Sequence, residues 1–146
     1  MSHHTDPLLA SRVVKKMLEQ DTYGKWLNPS IEKISAGYCL MKMKVRPEFL
    51  NGVGTVHGGI VFGIADTAFA YASNSHNRIA VALDVSISYP NAGQLNDEFI
   101  IEAKEVYLGG RTAIYQVMVT NQSNQLIGIF NGTVFRTQKK YFEEDV

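Results

Sequence analysis

The chain has 146 residues, 45% hydrophobic and 10% aromatic, which is enough apolar material for one globular domain (1–146) with a real core and too much for a disordered segment. Lys plus Arg and Asp plus Glu are both 14, so no excess basic field points to nucleic acid or an anionic membrane, and a neutral chain tends to associate. The single cysteine, Cys39, excludes an intrachain disulfide framework; with no N-terminal signal region and no apolar span of about 20 residues, the expected compartment is the cytosol.

Residues 7–20 place Leu9, Val13, Met17 and Leu18 on one face and Arg12, Lys15, Lys16 and Glu19 on the other, which predicts an amphipathic outer helix with Pro7 in its first turn. From 38 to 46, Cys39, Met41, Met43 and Val45 alternate with Lys42, Lys44 and Arg46, the pattern of a half-buried strand that gives Cys39 a packing role. Residues 58–74 are different. Apolar residues from Ile60 to Ala72 cover every side of a helical wheel, so this central helix is expected to be buried all round and to take Asp66 into the interior. An ionised carboxylate there costs several kcal/mol unless it is paired or hydrogen-bonded, which marks Asp66 as a working residue. Period-two runs follow at 79–89, 98–108, 111–120 and 125–137, joined by turns at Pro90–Gly93, Gly109-Gly110 and Asn121–Asn124, and residues 140–146 read as a frayed tail. One antiparallel sheet of five or six strands curled around a long central helix satisfies both patterns, an α+β class.

Asn51, Gly54 and His57-Gly58-Gly59, followed by Ala65-Asp66-Thr67-Ala68, resemble the N-x-x-G-x-x-H-G-G-x-x-x-x-L-A-D signature of hotdog-fold acyl-CoA thioesterases, with Ile64 in place of leucine. The run Ala65–Ala72 with Asn74-Ser75 is most similar to the phenylacetate-degradation PaaI type, and the likeness is specific over residues 49–77. The resemblance implies a hotdog fold and hydrolysis of a small acyl-CoA, aryl acyl groups of the phenylacetyl type among them. It implies no cofactor, coenzyme A being part of the substrate. It also implies a homodimer or dimer of dimers, with the Gly58 N–H of one subunit and the Asp66 carboxylate of its partner at each site.

The residues carry a physical reading beside that likeness. Gly58 and Gly59 open a helix whose first amides lack intrahelical partners and sit at the positive end of the dipole, suited to a developing oxyanion. Asp66 would act as general base or as nucleophile, kept ionised by donors such as Thr67 or water. Asn51 is the candidate for orienting the water or the thioester, and His57 for fixing the turn; their plainer roles are a turn residue and a helix cap. Eight residues on one continuous helix separate Gly58 from Asp66 by ~12 Å, so one chain cannot bring both to one carbonyl; if both act on the same thioester, a second copy must contribute one of them across a two-fold interface. Gly110, Arg111 and Thr112, after Gly109, offer amides, a guanidinium and a hydroxyl as a phosphate cradle, with Arg78, Lys139 and Lys140 as further charge. Phe49, Leu50, Phe62, Phe69 and Tyr71 are candidates for an acyl pocket, or for core.

Other chemistries fit less well. His76 with Ser73 or Ser75 lacks a G-x-S-x-G elbow, and the histidines do not make metal-ligand spacing with any Cys or Glu, so no metal is expected. A hotdog hydratase or dehydratase would need an acid–histidine pair that His57 and Asp66, nine apart, do not supply. A non-catalytic acyl-CoA sensor is the alternative from another class.

Overall fold

The computed structural model describes residues 8–143. The elements are α1 (Leu9–Leu18), α2 (Thr22–Leu27), β1 (Ser30–Ser35), β2 (Tyr38–Lys44), a 3-10 turn (Pro47–Phe49), α3 (Gly58–Asn74), β3 (Ala80–Ser88), β4 (Glu98–Leu108), β5 (Thr112–Thr120) and β6 (Leu126–Arg136). The six strands form one antiparallel sheet in the order β1-β2-β4-β5-β6-β3, open at β1 and β3.

The alternation read from the sequence builds the core. Cys39, Met41 and Met43 of β2, Phe99, Ile101 and Ala103 of β4, Tyr115, Val117 and Val119 of β5 and Phe130 of β6 turn inward and are fully buried against α3. At about 1.5 to 3 kcal/mol for each large apolar side chain taken from water, this inner row holds the helix in the curl of the sheet. Burial also pushes the Cys39 thiol up to about 12, which leaves it an inert packing group.

Three expectations change, and two elements are added. The first helix begins at Leu9, one turn of it resting Leu9, Ala10, Val13 and Val14 on the core, and Pro7 lies outside the described residues. Two elements were not legible. α2 has six residues, too few to show a period, and is specified by Asp21, whose side chain accepts the Gly24 N–H at 2.8 Å as an N-cap. β1 is a largely exposed edge strand with a register shift between Ile31 and Lys33, so its alternation is blurred.

In β3 the large residues expected inside are partly outside, Val81 50% and Leu83 59% exposed, because β3 is the far edge beyond β6 and a bulge between Ala82 and Asp84 reverses its faces. The tail is not frayed over 141–143. Asn77 accepts from Tyr141 N at 3.2 Å and Phe142 N at 2.9 Å and donates to Phe142 O at 2.7 Å; Tyr141 Oη donates to Asn74 Oδ1 at 2.6 Å; and the Phe142 ring lies under Arg12 and Lys16. Residues 144–146 lie outside the described ones.

Candidate active site

α3 runs unbroken from Gly58 to Asn74, and the loop before it is built by Asn51. The Asn51 side-chain carbonyl accepts from Val53 N at 3.0 Å and Thr55 N at 3.1 Å, and its amide donates to Thr55 Oγ1 at 2.9 Å. Asn51 is thus an Asx-turn residue, its side-chain carbonyl and one amide N–H committed to the loop. Gly54, at φ +85°, supplies the left-handed residue that closes this turn.

His57 is the N-cap. Its Nδ1 accepts the Gly59 N–H at 2.8 Å, which places the ring proton on Nε2. The next two amides, Ile60 and Val61, turn to the His57 carbonyl. The cap therefore divides the pair: Gly59 N–H is used internally, and Gly58 N–H has no acceptor among the described residues. Tyr89 Oη donates to Gly58 O at 3.2 Å, and Tyr89, Val56, Val61 and the turn Pro90–Gly93 line a pocket of about 260 Å³ beside Gly58. Tyr89 was missed as a site residue. It ends an alternating strand pattern and reads as core, but it is half exposed at the mouth of that pocket.

α3 is not buried on every side. Gly59, Phe62, Asp66 and Ala70, spaced three or four apart, form a stripe open to varying degree, while every other residue from Ile60 to Asn74 is buried. The sheet wraps one side and α1 and α2 cover another, and an open sheet leaves the rest. Asp66 is accordingly half-buried on a stripe, not sealed in the interior. Partial burial raises the pKa of its carboxyl above the ordinary value. The expected donor does not serve it: Thr67 Oγ1 donates to Gly63 O at 2.8 Å, one turn back on its own helix.

Tyr23 of α2 reaches α3 beside that stripe, at buried Gly63. A Cβ on Gly63 would stand 2.0 Å from Tyr23 Oη, so the phenol occupies the space a side chain there would fill. Burial, and then the charge of Asp66, raise the Tyr23 pKa. Neither sequence spacing nor the motif pointed to Tyr23, since α2 itself was not legible.

The Gly109–Thr112 turn joins β4 to β5. Arg136, itself nearly buried, donates to Gly109 O at 2.7 Å, Arg78 donates to Gly110 O at 3.0 Å, and Arg136 N donates to Arg111 O at 2.7 Å. Desolvation and then Arg78 lower the Arg136 pKa. Two arginines thus brace the turn from beneath, while Arg111 is exposed and Gly110 has open space where a Cβ would stand. Of the acyl-pocket candidates, Phe49, Phe69 and Tyr71 are core; Leu50 and Phe62 are partly exposed. His76 pairs with Glu105 at 2.6 Å, and Ser73 and Ser75 donate to carbonyls of α3, so no serine–histidine pair forms. Among the described residues no group of three His, Cys, Asp or Glu is placed to hold a metal, and no helix is long and apolar enough to cross a membrane.

A family model described as Thioesterase superfamily matches residues 53–127, a span from the loop before α3 into β6. The acyl-coenzyme A thioesterase PaaI of Escherichia coli is 34% identical over 120 residues, covering 82% of this chain and 86% of that protein. The solved E. coli PaaI protein of the phenylacetic acid degradation operon superposes with a TM-score of 0.89 at 31% identity, over 92% of this chain and 97% of that one. A thioesterase-family protein of Streptococcus pneumoniae, solved with coenzyme A, gives 0.81 at 30% identity over 86% and 98%. The chain belongs to the thioesterase superfamily and has its hotdog fold, here a six-stranded antiparallel sheet curled around one long helix.

Proposed function

We propose that this protein hydrolyses the thioester of a small acyl-CoA, an arylacyl-CoA of the phenylacetyl type among them, to the free acid and CoA. The observation that carries the reading is the division of labour along α3: an amide without an acceptor among the described residues at its first residue, Gly58, and a half-buried carboxylate eight residues on, on the open stripe. Relatives named as acyl-CoA thioesterases and a neighbour solved with coenzyme A support it.

In this mechanism the thioester oxygen points at the Gly58 amide of one subunit and the Asp66 carboxylate of its partner faces the carbonyl carbon. As a base, Asp66 takes a proton from water as the water oxygen bonds to carbon; the oxyanion collapses, the C–S bond breaks, and the thiolate leaves with a proton. As a nucleophile, it forms a mixed anhydride with loss of the thiolate, and water then cleaves the anhydride. A carboxyl whose pKa burial raises is a stronger base than an exposed one, which suits the first course. The sharing follows from the ~12 Å that eight residues of continuous helix put between the two groups. Edge strand β3, with Val81 and Leu83 exposed beside an unpaired backbone edge, is the surface that a two-fold partner covers in this reading. Arg111 on its braced turn receives a phosphate of the nucleotide arm, no cofactor takes part, and the enzyme works with its CoA substrate in the cytosol.

The test is thiol release from a panel of aryl and alkyl acyl-CoAs by the purified protein, with its oligomeric state measured in parallel. Turnover with at least one short acyl-CoA, by a dimer or tetramer, is expected. Binding of acyl-CoA without thiol release would favour a sensor instead.

A further inference from the structure

α2 is held to α3 by an arrangement that the catalytic reading does not use. Asp21 takes the Gly24 N–H at 2.8 Å with one oxygen and the hydroxyl of Tyr71, from the buried side of α3, at 2.6 Å with the other. Gly24 has no room for a side chain, since a Cβ would stand 2.4 Å from Asp21 Oδ2 and 2.9 Å from Tyr71 Oη. At the other end of α2, Arg46 donates to the carbonyls of Trp26 and Leu27 and stacks on the rings of Trp26 and Phe49 at 4.8 and 4.2 Å.

What this bracing presents is aromatic and half exposed. Tyr23 and Trp26 are 47% and 46% exposed, with ring centroids 6.1 Å apart, and the Trp26 ring packs edge-on to buried Phe49 at 5.3 Å. Two large rings left in water cost apolar burial unless something covers them. They begin at Gly63, one helical turn before Asp66 on α3. A thioester whose carbonyl carbon lies against the Asp66 carboxylate must lay its acyl group beside that residue, within reach of the first of these rings.

We infer that Tyr23, continued by Trp26, is the wall against which the acyl group packs, and that it selects a planar aromatic acyl group over a short alkyl one. Offset or edge-on ring contacts reward a flat arene beyond its buried area, whereas an acetyl group is too short to reach across the wall. The inference rests on the acyl-CoA reading of the Asp66 site.

The test compares kcat/KM for phenylacetyl-CoA and acetyl-CoA in the full chain, as a ratio that loss of folded protein cannot change. Tyr23→Ala should lower the ratio about tenfold, Tyr23→Phe should keep it within about twofold, and Gly63→Ala, whose methyl displaces the phenol, should copy Tyr23→Ala. An unchanged ratio in Tyr23→Ala overturns the inference. Trp26 is the only tryptophan of the chain, so its fluorescence reads the wall without hydrolysis. The non-hydrolysable thioether S-phenethyl-CoA should shift Trp26 emission where S-ethyl-CoA does not, with affinity about tenfold weaker in Tyr23→Ala. If the wild type releases thiol from neither ester but shows that shift, the hydrolase reading falls and the wall stands; if thiol is released while S-phenethyl-CoA leaves Trp26 unmoved, the wall falls and the hydrolase reading stands.

Discussion

Asp66 owes its character to where the helix period puts it. One position earlier or later on α3 it would face packed neighbours; at 66 it shares a stripe with Phe62 and Ala70, half in and half out of water. Asp66→Asn should cut kcat by about two orders of magnitude or more and change substrate binding little, measured by steady-state kinetics on folded protein. The same substitution removes a carboxylate that has no hydrogen-bond donor among the described residues. Since Asp66 is half exposed the gain is small, about 1 kcal/mol, or roughly 2–4 °C in Tm by calorimetry at pH 7.

The sign of the pH dependence follows from the direction of the shift. A folded pKa raised by burial means that the ionised form is penalised above that value and that the penalty vanishes as pH falls below the unfolded one. Activity runs the other way: kcat should fall on the acid side through a value above that of an ordinary exposed carboxyl, and the pH–rate profile reads it directly. For Arg111→Ala, a loss of about 1 to 3 kcal/mol of charged hydrogen bonding should appear chiefly as a raised KM and as weaker inhibition by free CoA. A fall confined to kcat would put the nucleotide arm elsewhere.

α3 depends on its two ends. At the start, the His57 cap sets which glycine amide is left for a ligand; at the finish, Asn74 and Asn77 hold the segment that returns after β6. Asn77 sits at φ +65°, a left-handed position that alanine adopts poorly, and its side chain makes three bonds to Tyr141 and Phe142. Asn77→Ala should therefore cost about 2 kcal/mol and release residues 138–143, making Lys139 and Lys140 sites of rapid tryptic cleavage in native protein. Unchanged proteolysis and an unchanged Tm would mean that Tyr141 Oη and the Phe142 ring hold the segment without Asn77.

The assembly carries the strongest consequence of the helix geometry. If Gly58 and Asp66 of different subunits meet at each carbonyl, two disabled chains should complement. Gly58→Pro removes the amide proton, and proline suits this position: Gly58 is the first helical residue, His57 before it is extended at φ −61° and ψ 134°, and the nearest side chain to a Cβ there is Tyr89, at 3.4 Å. Mixed with Asp66→Asn and allowed to exchange subunits, it forms hybrids with one site doubly defective and one intact. An equal mixture should recover about a quarter of wild-type activity, one intact site in four. No recovery in a mixture shown to exchange would mean that both groups act from one chain.

Periodicity alone determined the class, the four strands after residue 79 and the bounds of α3, because alternation and an all-round apolar helix are local properties of the chain. The motif from Asn51 to Asp66 likewise placed the glycine turn that opens α3 and the carboxylate on that helix. Only the tertiary structure decided that α3 has an open stripe, since which side a sheet leaves bare depends on how far six strands curl and where α1 and α2 dock. It also decided the roles of Asn51, Thr67 and Gly59, whose polar groups find partners within a few residues only once the loop and helix have closed. Tyr23, Tyr89 and Arg136 were beyond sequence reasoning for the same cause: each comes to the site from an element distant in the chain, brought there by packing that no local pattern encodes.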